Sequence, residues 1–457
     1  MSLKPATPAA MQLLMKGAEV FSRMEAAGLQ IDVDYLDRSI KEVSERTIQL
    51  ETALKEDDAY KLWTQSYGND TKLSSRQQLG SIVFDQMGFK RSRKDNNDAA
   101  AFEHLKLPFV RNYQELERLK KALSTNLKGI KKEVVNGYLH AFFDLHTTES
   151  YRSSSSKVNL QNQPIRNKDI ARIVRSCVIP RDGHVLLEPD LETHEVRISY
   201  CYHKDSKMRE DVLTGDMHRD KAKELFLLDE EPTKDVRYTA KNKFVFAQFY
   251  GSYYKQCAPE LWDYIAILDL KTAKGKGLYQ HLAEKGIKKR GKCDPDDPNP
   301  PKKGTYEYLV WEVEQKMWRV DYKVYNQWKE DWWNAYQQNG GFHTKTGFTL
   351  EGVFRRNQVL CDAVQGSAFH CLLWAMIQIE PWLRKKKMRT KLVSQVHDSM
   401  LFDTHLNEVE DVAKKIKQTL LIDLPDAWKW ICIPLGCGLD VCKKNWFDKE
   451  PLDGTKG

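Results

Sequence analysis

The spacing of apolar residues changes along this chain, and each change marks an element. From Met11 to Ala27 apolar residues recur at helical spacing and the run stops at Gly28, which predicts a helix ending there. Leu73-Ser74-Ser75-Arg76-Gln77-Gln78-Leu79 has the form of a serine cap followed by a new helix. Leu105 to Val135 is again helical in period, with many lysines. Val185-Leu186-Leu187 predicts a strand that runs on to Asp190. Two further short apolar runs, Leu392-Val393 and Met400-Leu401-Phe402, flank His397-Asp398. Tyr306 to Tyr336 predicts one long helix, with Trp311, Trp318, Tyr322, Tyr325, Trp332 and Tyr336 near heptad spacing. Such a stripe is expected to pack in a core rather than to stack on bases. Between residues 252 and 304 the pattern gives way to lysine, glycine and a proline-rich acidic stretch, the composition of an exposed insertion.

Composition narrows the function classes. With 457 residues and 41% hydrophobic content, two or three units can each bury a core. Lysine and arginine number 72 against 64 acidic residues, a net charge of +8 that suits a polyanionic partner without proving one. No apolar run approaches the ~18 residues of a membrane span, and no secretory apolar core opens the chain, so a cytoplasmic protein with no membrane partner is expected. The nine cysteines include no C-x-x-C pair. Cys432, Cys437 and Cys442 lack a histidine or second cluster to complete a zinc set, so free thiols are expected.

The candidate chemistry lies on the strands. A two-metal phosphoryl-transfer centre needs carboxylates from separate strands to converge about 4 Å either side of a metal pair. Asp190, with Glu195 and Arg197 following it, and Asp398 are the candidates.

Several segments, taken in order, resemble the family A DNA polymerases, the group of the bacterial repair polymerase and many phage replicases. They are Arg152-Ser153-Ser154 with Asn159-Leu160-Gln161-Asn162, then the Asp190…Glu195-x-Arg197 strand, then Asp216-Met217-His218. Arg237 to Lys241, ending in Phe249-Tyr250-Gly251, is similar to the family's fingers helix. Gln365-Gly366-Ser367-Ala368 and Gln395-Val396-His397-Asp398 resemble its last two motifs, and Ile433-Pro434-Leu435 to Asn445-Trp446 its ending. Met24-Glu25, Gly28 and Ile31-Asp32 extend the likeness over nearly the whole chain.

The resemblance implies an α+β right-hand polymerase fold with an antiparallel palm sheet, helical fingers and a helical thumb. It divides the chain into an N-terminal helical segment (1–100), thumb (101–150), first palm part (151–200), fingers (201–345, with the insertion at about 252–304) and second palm part (346–457). It implies template-directed addition of deoxynucleoside triphosphates to a primer 3′-hydroxyl on primer-template DNA, with pyrophosphate released. Two Mg2+ ions, with Mn2+ as a substitute, would be held by Asp190, Asp398 and the Leu191 carbonyl. Arg237, Lys241 and His218 would hold the triphosphate. Glu195 would be the steric gate against a ribose 2′-hydroxyl and hydrogen-bond Tyr250, and Phe246 and Tyr250 would face base and sugar. Arg152, Asn159, Gln161, Gln365, His397 and Arg356 would contact DNA, and Lys120, Lys121, Lys128, Lys131 and Lys132 would add phosphate contacts from the thumb. The nucleoid or an infected host cell is the implied place of action. Nothing in the chain resembles the family's proofreading domain, which leaves room for a separate exonuclease or processivity partner.

Departures from the family pattern add three expectations. Ser399 stands where the family has glutamate. Asn357 and Cys361 stand where it has arginine and asparagine, with Arg356 one residue away as the substitute. Lys241 to Tyr250 is one residue too long, and one residue rotates a helical side chain by ~100°. A π-bulge between Lys241 and Phe246 would absorb it. The alternatives are that Lys243 or Asn242 takes the phosphate role, or that Phe249 replaces Phe246. Two other functions remain in view: a 3′–5′ exonuclease built on Asp190-Leu191-Glu192-Thr193, and a non-catalytic nucleic-acid-binding relic.

Overall fold

The computed structural model describes residues 5–89, 102, 105, 107–165 and 167–452. In chain order, the elements that position the site are α1 (Pro8–Ala27), β1 (His184–Leu191), α2 (His194–His203), α3 (Met217–Phe226), α4 (Lys234–Ala240), α5 (Phe246–Phe249), α6 (Tyr254–Ile267), α7 (Arg356–Lys385), β2 (Lys391–Val396), β3 (Ser399–His405), β4 (Cys437–Cys442) and β5 (Glu450–Pro451). Two compact units form. One comprises residues 1–47, 118–204 and 329–457, the other 48–117 and 205–328. The expected boundary at 100/101 lies outside the described residues.

The first unit is built on a five-stranded antiparallel sheet in the order β5-β4-β1-β3-β2. β1 is central, and Val185 to Pro189 are all buried before Asp190 emerges at its end. A strand covered on both faces needs a continuous apolar run rather than alternation, which is why Val185-Leu186-Leu187 stood out. β2 and β3 form a hairpin whose turn is His397-Asp398, and Ser399 pairs with both Val396 and Asp190. The turn carboxylate is thereby delivered beside the end of β1.

α1 packs against α7 and β2. Thr7 caps its start by accepting from Ala10 N (3.1 Å). It stops at Gly28 (φ 65°), where a side chain would also strike the His140 ring at 2.7 Å. α7 is long and apolar enough by composition to cross a membrane, but 78% of that window is buried inside the protein, so it is the core helix of this unit. At Gly366 an added Cβ would lie 2.4 Å from the Ser150 carbonyl oxygen. Backbone cannot yield as a flexible side chain does, so Gly366→Ala is expected to cost about 1–3 kcal/mol. A clear fall in Tm in a thermal melt would bear this out, and an unchanged Tm would refute the close approach.

In the second unit, Ser75 caps Arg76–Gly80 as expected, accepting from Gln78 N (3.3 Å). Trp63, Leu79, Ile82, Val83, Phe109 and Val110 form a core there. The expected long helix at 306–336 is instead two helices, Tyr306–Lys316 and Lys323–Asn339, separated by a π-helical turn at Met317–Asp321. Trp318, Tyr322 and Tyr325 are buried in the core, as their stripe implied. The insertion is shorter than expected. α6 buries Cys257, Leu261 and Ile265, so residues 254–267 are core, and the exposed segment begins after them. The periodic stretch from Leu105 divides into Pro108–Lys121, a π turn at Ala122–Leu127, and Lys128–Glu133. All nine cysteines are free thiols.

Candidate active site

Asp190 and Asp398 meet at one end of the sheet. Leu191 N donates to the Asp398 carbonyl (3.3 Å) and Glu192 N to Gly436 O (3.0 Å), which ties β1 to the hairpin turn and to the segment before β4. Both exits from the site run through left-handed backbone at non-glycine residues, Thr193 (φ 45°) and His397 (φ 51°). Such conformations cost roughly 1–3 kcal/mol each and persist where surrounding structure over-determines them. Asp190 opens to solvent on one side, yet the dense surround desolvates it. That burial, followed by the charges of Asp398 and Glu188, pushes its carboxyl up to about 6.

Beneath the pair lies a carboxylate the sequence analysis missed. Glu188 is buried (5% exposed) and sits two residues before Asp190, hence on the same face of β1. The Ser399 hydroxyl donates to it (3.1 Å), the Trp446 indole donates (2.9 Å), and the Lys449 amino group pairs with it (2.5 Å). Ser399 thus bonds a carboxylate on the neighbouring strand. A lone acidic residue inside an apolar run was its only sequence signal.

The motif residues expected to contact DNA fall into two groups. Gln161 Nε2 donates to Ser153 Oγ (2.8 Å) and to Gln395 Oε1 (2.7 Å), and Gln395 Nε2 donates to the His397 carbonyl (2.6 Å). This network holds His397, itself exposed, at the turn. Gln365 is half-buried on α7. The others are engaged elsewhere. Asn159 caps its own 3-10 turn by accepting from Gln161 N and Asn162 N (3.0 and 3.1 Å). Arg152 is ion-paired with Glu195, and Arg356 with Glu330. Among the thumb lysines, Lys131 is paired with Asp37 (2.7 Å).

The cations of the second unit gather around His218. Asp216 caps α3 and accepts two bonds from the Arg237 guanidinium (2.8 and 3.1 Å). Lys241 and His218 both lie against the Phe246 ring, with Nζ 5.1 Å and the imidazole 5.5 Å from its centre. Burial first, then Lys241 and Arg237, pulls His218 down to about 4. Its Nδ1 is buried and has no hydrogen-bond partner among the described residues. The expected irregularity is present, since residues Lys241–Val245 form a π-helical turn between α4 and α5. Similar turns occur elsewhere in the chain, so the turn alone signals nothing; what matters is what it aligns. Lys243 is held by Glu260 (3.1 Å) and lies over the Tyr264 ring. The Asn242 amide donates to Tyr238 O (2.9 Å). Phe249 packs among Trp318, Tyr322 and Tyr325. Lys243, Asn242 and Phe249 thus each have partners of their own, while Lys241 and Phe246 lie beside His218.

Buried neutral histidines make acid stability predictable. Burial also pulls His203 and His370 down to about 3. With folded values below the ordinary 6.5, the unfolded chain binds these protons first, so stability is full above pH 6.5 and lost as pH falls toward 4. A loss of stability on the order of a few kcal/mol in sum across that window, read as a fall in Tm, is expected in melts from pH 8 to 4. A flat profile would show the imidazoles reach solvent.

Among the described residues no group of three or more His, Cys, Asp or Glu is arranged to hold a metal by itself. Two carboxylates that repel one another, with the backbone carbonyl of Leu191 between them in sequence, still fit Mg2+. That ion keeps several waters and uses one or two carboxylates plus substrate phosphates rather than an all-protein cage.

An antiparallel sheet with carboxylates at a central strand end and an adjacent hairpin, together with a helical unit carrying clustered cations, defines the class: a polymerase-domain fold. The chain belongs to DNA polymerase family A, whose sequence pattern matches residues 37–273 and 352–448. It is 26% identical over 447 residues to DNA polymerase I of Lactococcus lactis subsp. cremoris, covering 95% of this chain and 45% of that protein. It is 24% identical over 392 residues to the DNA polymerase of Bacillus phage SP01, covering 79% and 38%. The chain thus spans less than half the length of these relatives. In structure it is similar to the POL domain of Pol1 from M. smegmatis, solved with DNA primer-template and dNTP (TM-score 0.72, 20% identity, 95% of this chain and 70% of that one). The antiparallel palm sheet expected from sequence is present, in an α+β fold.

Proposed function

We propose that this chain is a template-directed DNA polymerase that adds deoxynucleotides to a primer 3′-hydroxyl and releases pyrophosphate. The observation that carries the reading is the meeting of Asp190 and Asp398 at the sheet end, on a chain of this family. Asp190, Asp398 and the Leu191 carbonyl would hold two divalent cations, Mg2+ or in substitution Mn2+. When bound, these activate the hydroxyl and offset the charge of the leaving group. Arg237 and Lys241 would bind the triphosphate oxygens, and neutral His218 would donate one hydrogen bond to them. Phe246 and Tyr250 would meet sugar and base. The Gln161–Gln395–His397 network, with Gln365, would contact the primer end. Arg152 and Arg356 would have to exchange their carboxylate partners for DNA. Primer-template DNA and deoxynucleoside triphosphates are the proposed partners, the nucleoid or an infected cell the proposed setting, and proofreading the task of a separate exonuclease. The domain limits expected from the sequence are retained as a proposal, with the fingers insertion shortened at its start.

A primer-extension assay with Mg2+ and the four deoxynucleotides tests this. Magnesium-dependent extension is expected, and 3′ degradation of single-stranded DNA without extension would favour the exonuclease. Glu195→Ala should relax discrimination against ribonucleotides and slow deoxynucleotide use, because Glu195 also holds the Arg152 guanidinium. Unchanged ribonucleotide selectivity in single-nucleotide incorporation would remove Glu195 as the gate.

A further inference from the structure

The family pattern breaks off at residue 273 and resumes at 352. Residues 271–304, nearly all in that gap, carry ten lysines and arginines against four acidic residues. The whole chain is only +8, so this segment is a concentrated cationic feature. It is also built rather than loose. Tyr306 N donates to Lys289 O (2.9 Å) and Glu307 N to Arg290 O (2.7 Å), pinning the lysine-arginine stretch to the head of the next helix. The buried Lys255 amino group holds the Asp297 carbonyl. Gly291 (φ 112°) passes so close to Glu307 that a Cβ would lie 2.7 Å from the glutamate Cβ.

These contacts enclose a cavity of about 850 Å³, lined by Trp262, Lys289, Arg290, Lys292 and Lys302 among others. Asp263, Asp297 and Glu307 also line it. Arg290 pairs with Asp263 (3.7 Å), and Lys292 reaches Asp297 only at 3.9 Å. Lys289 and Lys302 are exposed and make no ion pair among the described residues.

We infer that this cavity is a binding site for single-stranded DNA, with phosphates on Lys289, Lys292 and Lys302 and a base against Trp262. Lysines beside an aromatic ring in a concavity are the combination that grips a single strand, since every base has a stackable face. The concavity is of small-molecule size, so it admits a nucleotide or two and not a duplex. Trp262 packs on Tyr279 and Tyr306 (ring centroids 4.8 and 5.2 Å), and the base is placed against the part of it that lines the cavity, a contact an acidic peptide would not use. The inference does not rest on catalysis, because Lys289, Lys292 and Lys302 lie outside the family pattern and the site uses none of its motif residues.

The test is fluorescence-anisotropy binding of a dT20 oligonucleotide across a salt series, for the full chain and for Lys289→Gln/Lys292→Gln/Lys302→Gln. The three lysines are exposed, so the variant is expected to fold. Each lost phosphate contact removes about 0.7 from the log–log salt slope. The variant should therefore lose about 2 in slope and about tenfold in affinity, with blunt-duplex binding unchanged. Equal affinity and slope for both proteins would overturn the site. So would a parallel loss on the blunt duplex, which marks a diffuse field, or equal competition by poly-glutamate, which marks an acidic-peptide surface. Extension of a primer with a one-nucleotide overhang should persist in the variant. A wild type that binds dT20 but never extends primers would sink the polymerase reading and leave this one standing.

Discussion

Asp190→Asn and Asp398→Asn are each expected to abolish nucleotide incorporation while leaving duplex affinity within a few-fold of the parent. Asp190 lies near the end of β1 and Asp398 in the hairpin turn, and the two are joined through Leu191 N and the Asp398 carbonyl. Burial and the Asp398 charge already hold Asp190 up to about 6, so a charge on Asp190 is costly here without a counter-cation. Asparagine keeps the shape and removes the charge that would fix the cations. Metal-assisted phosphoryl transfer draws several kcal/mol of barrier lowering from such ligands. A loss of 4 kcal/mol corresponds to a rate fall of roughly a thousandfold. Single-turnover incorporation measured beside duplex binding separates the two effects. Extension by either variant at near-parental rate would remove that aspartate from the site.

Lys241→Ala should produce the second largest loss, and Lys243→Ala should produce little. The two lysines stand two positions apart on one helical segment, which turns them to roughly opposite faces and so to different surroundings. Lys241 lies with His218 against Phe246, where Arg237 is also close enough to depress the imidazole. Lys243 is bound to Glu260 and Tyr264. Removing a cation aimed at developing phosphate charge typically costs 10²–10³-fold in rate, so kcat/KM for a deoxynucleotide should fall by roughly that factor in Lys241→Ala. Lys243→Ala should stay within a few-fold and show its effect in thermal stability instead. The reverse order would move the phosphate contact to Lys243 and leave the π turn without a functional reason.

The amino-acid sequence by itself determined the local pieces. The continuous apolar run of β1 follows from burial on both faces, and the end of α1 follows from the positive φ that Gly28 supplies without strain. The extra residue between Lys241 and Tyr250 foretold a π turn because helical phase is a local count. Asp190 and Asp398 were legible as chemistry because charged residues at the ends of apolar strands are costly unless used. Partnership was decided only by the tertiary structure. Glu188 and Trp446 are 258 residues apart and share a hydrogen bond. Ser399 meets Glu188, and Arg152 meets Glu195, through pairings that no spacing rule encodes. The division of the 306–336 helix and the core role of α6 were also invisible. Both depend on what packs against them, and periodicity records which side of an element is apolar, not what covers it.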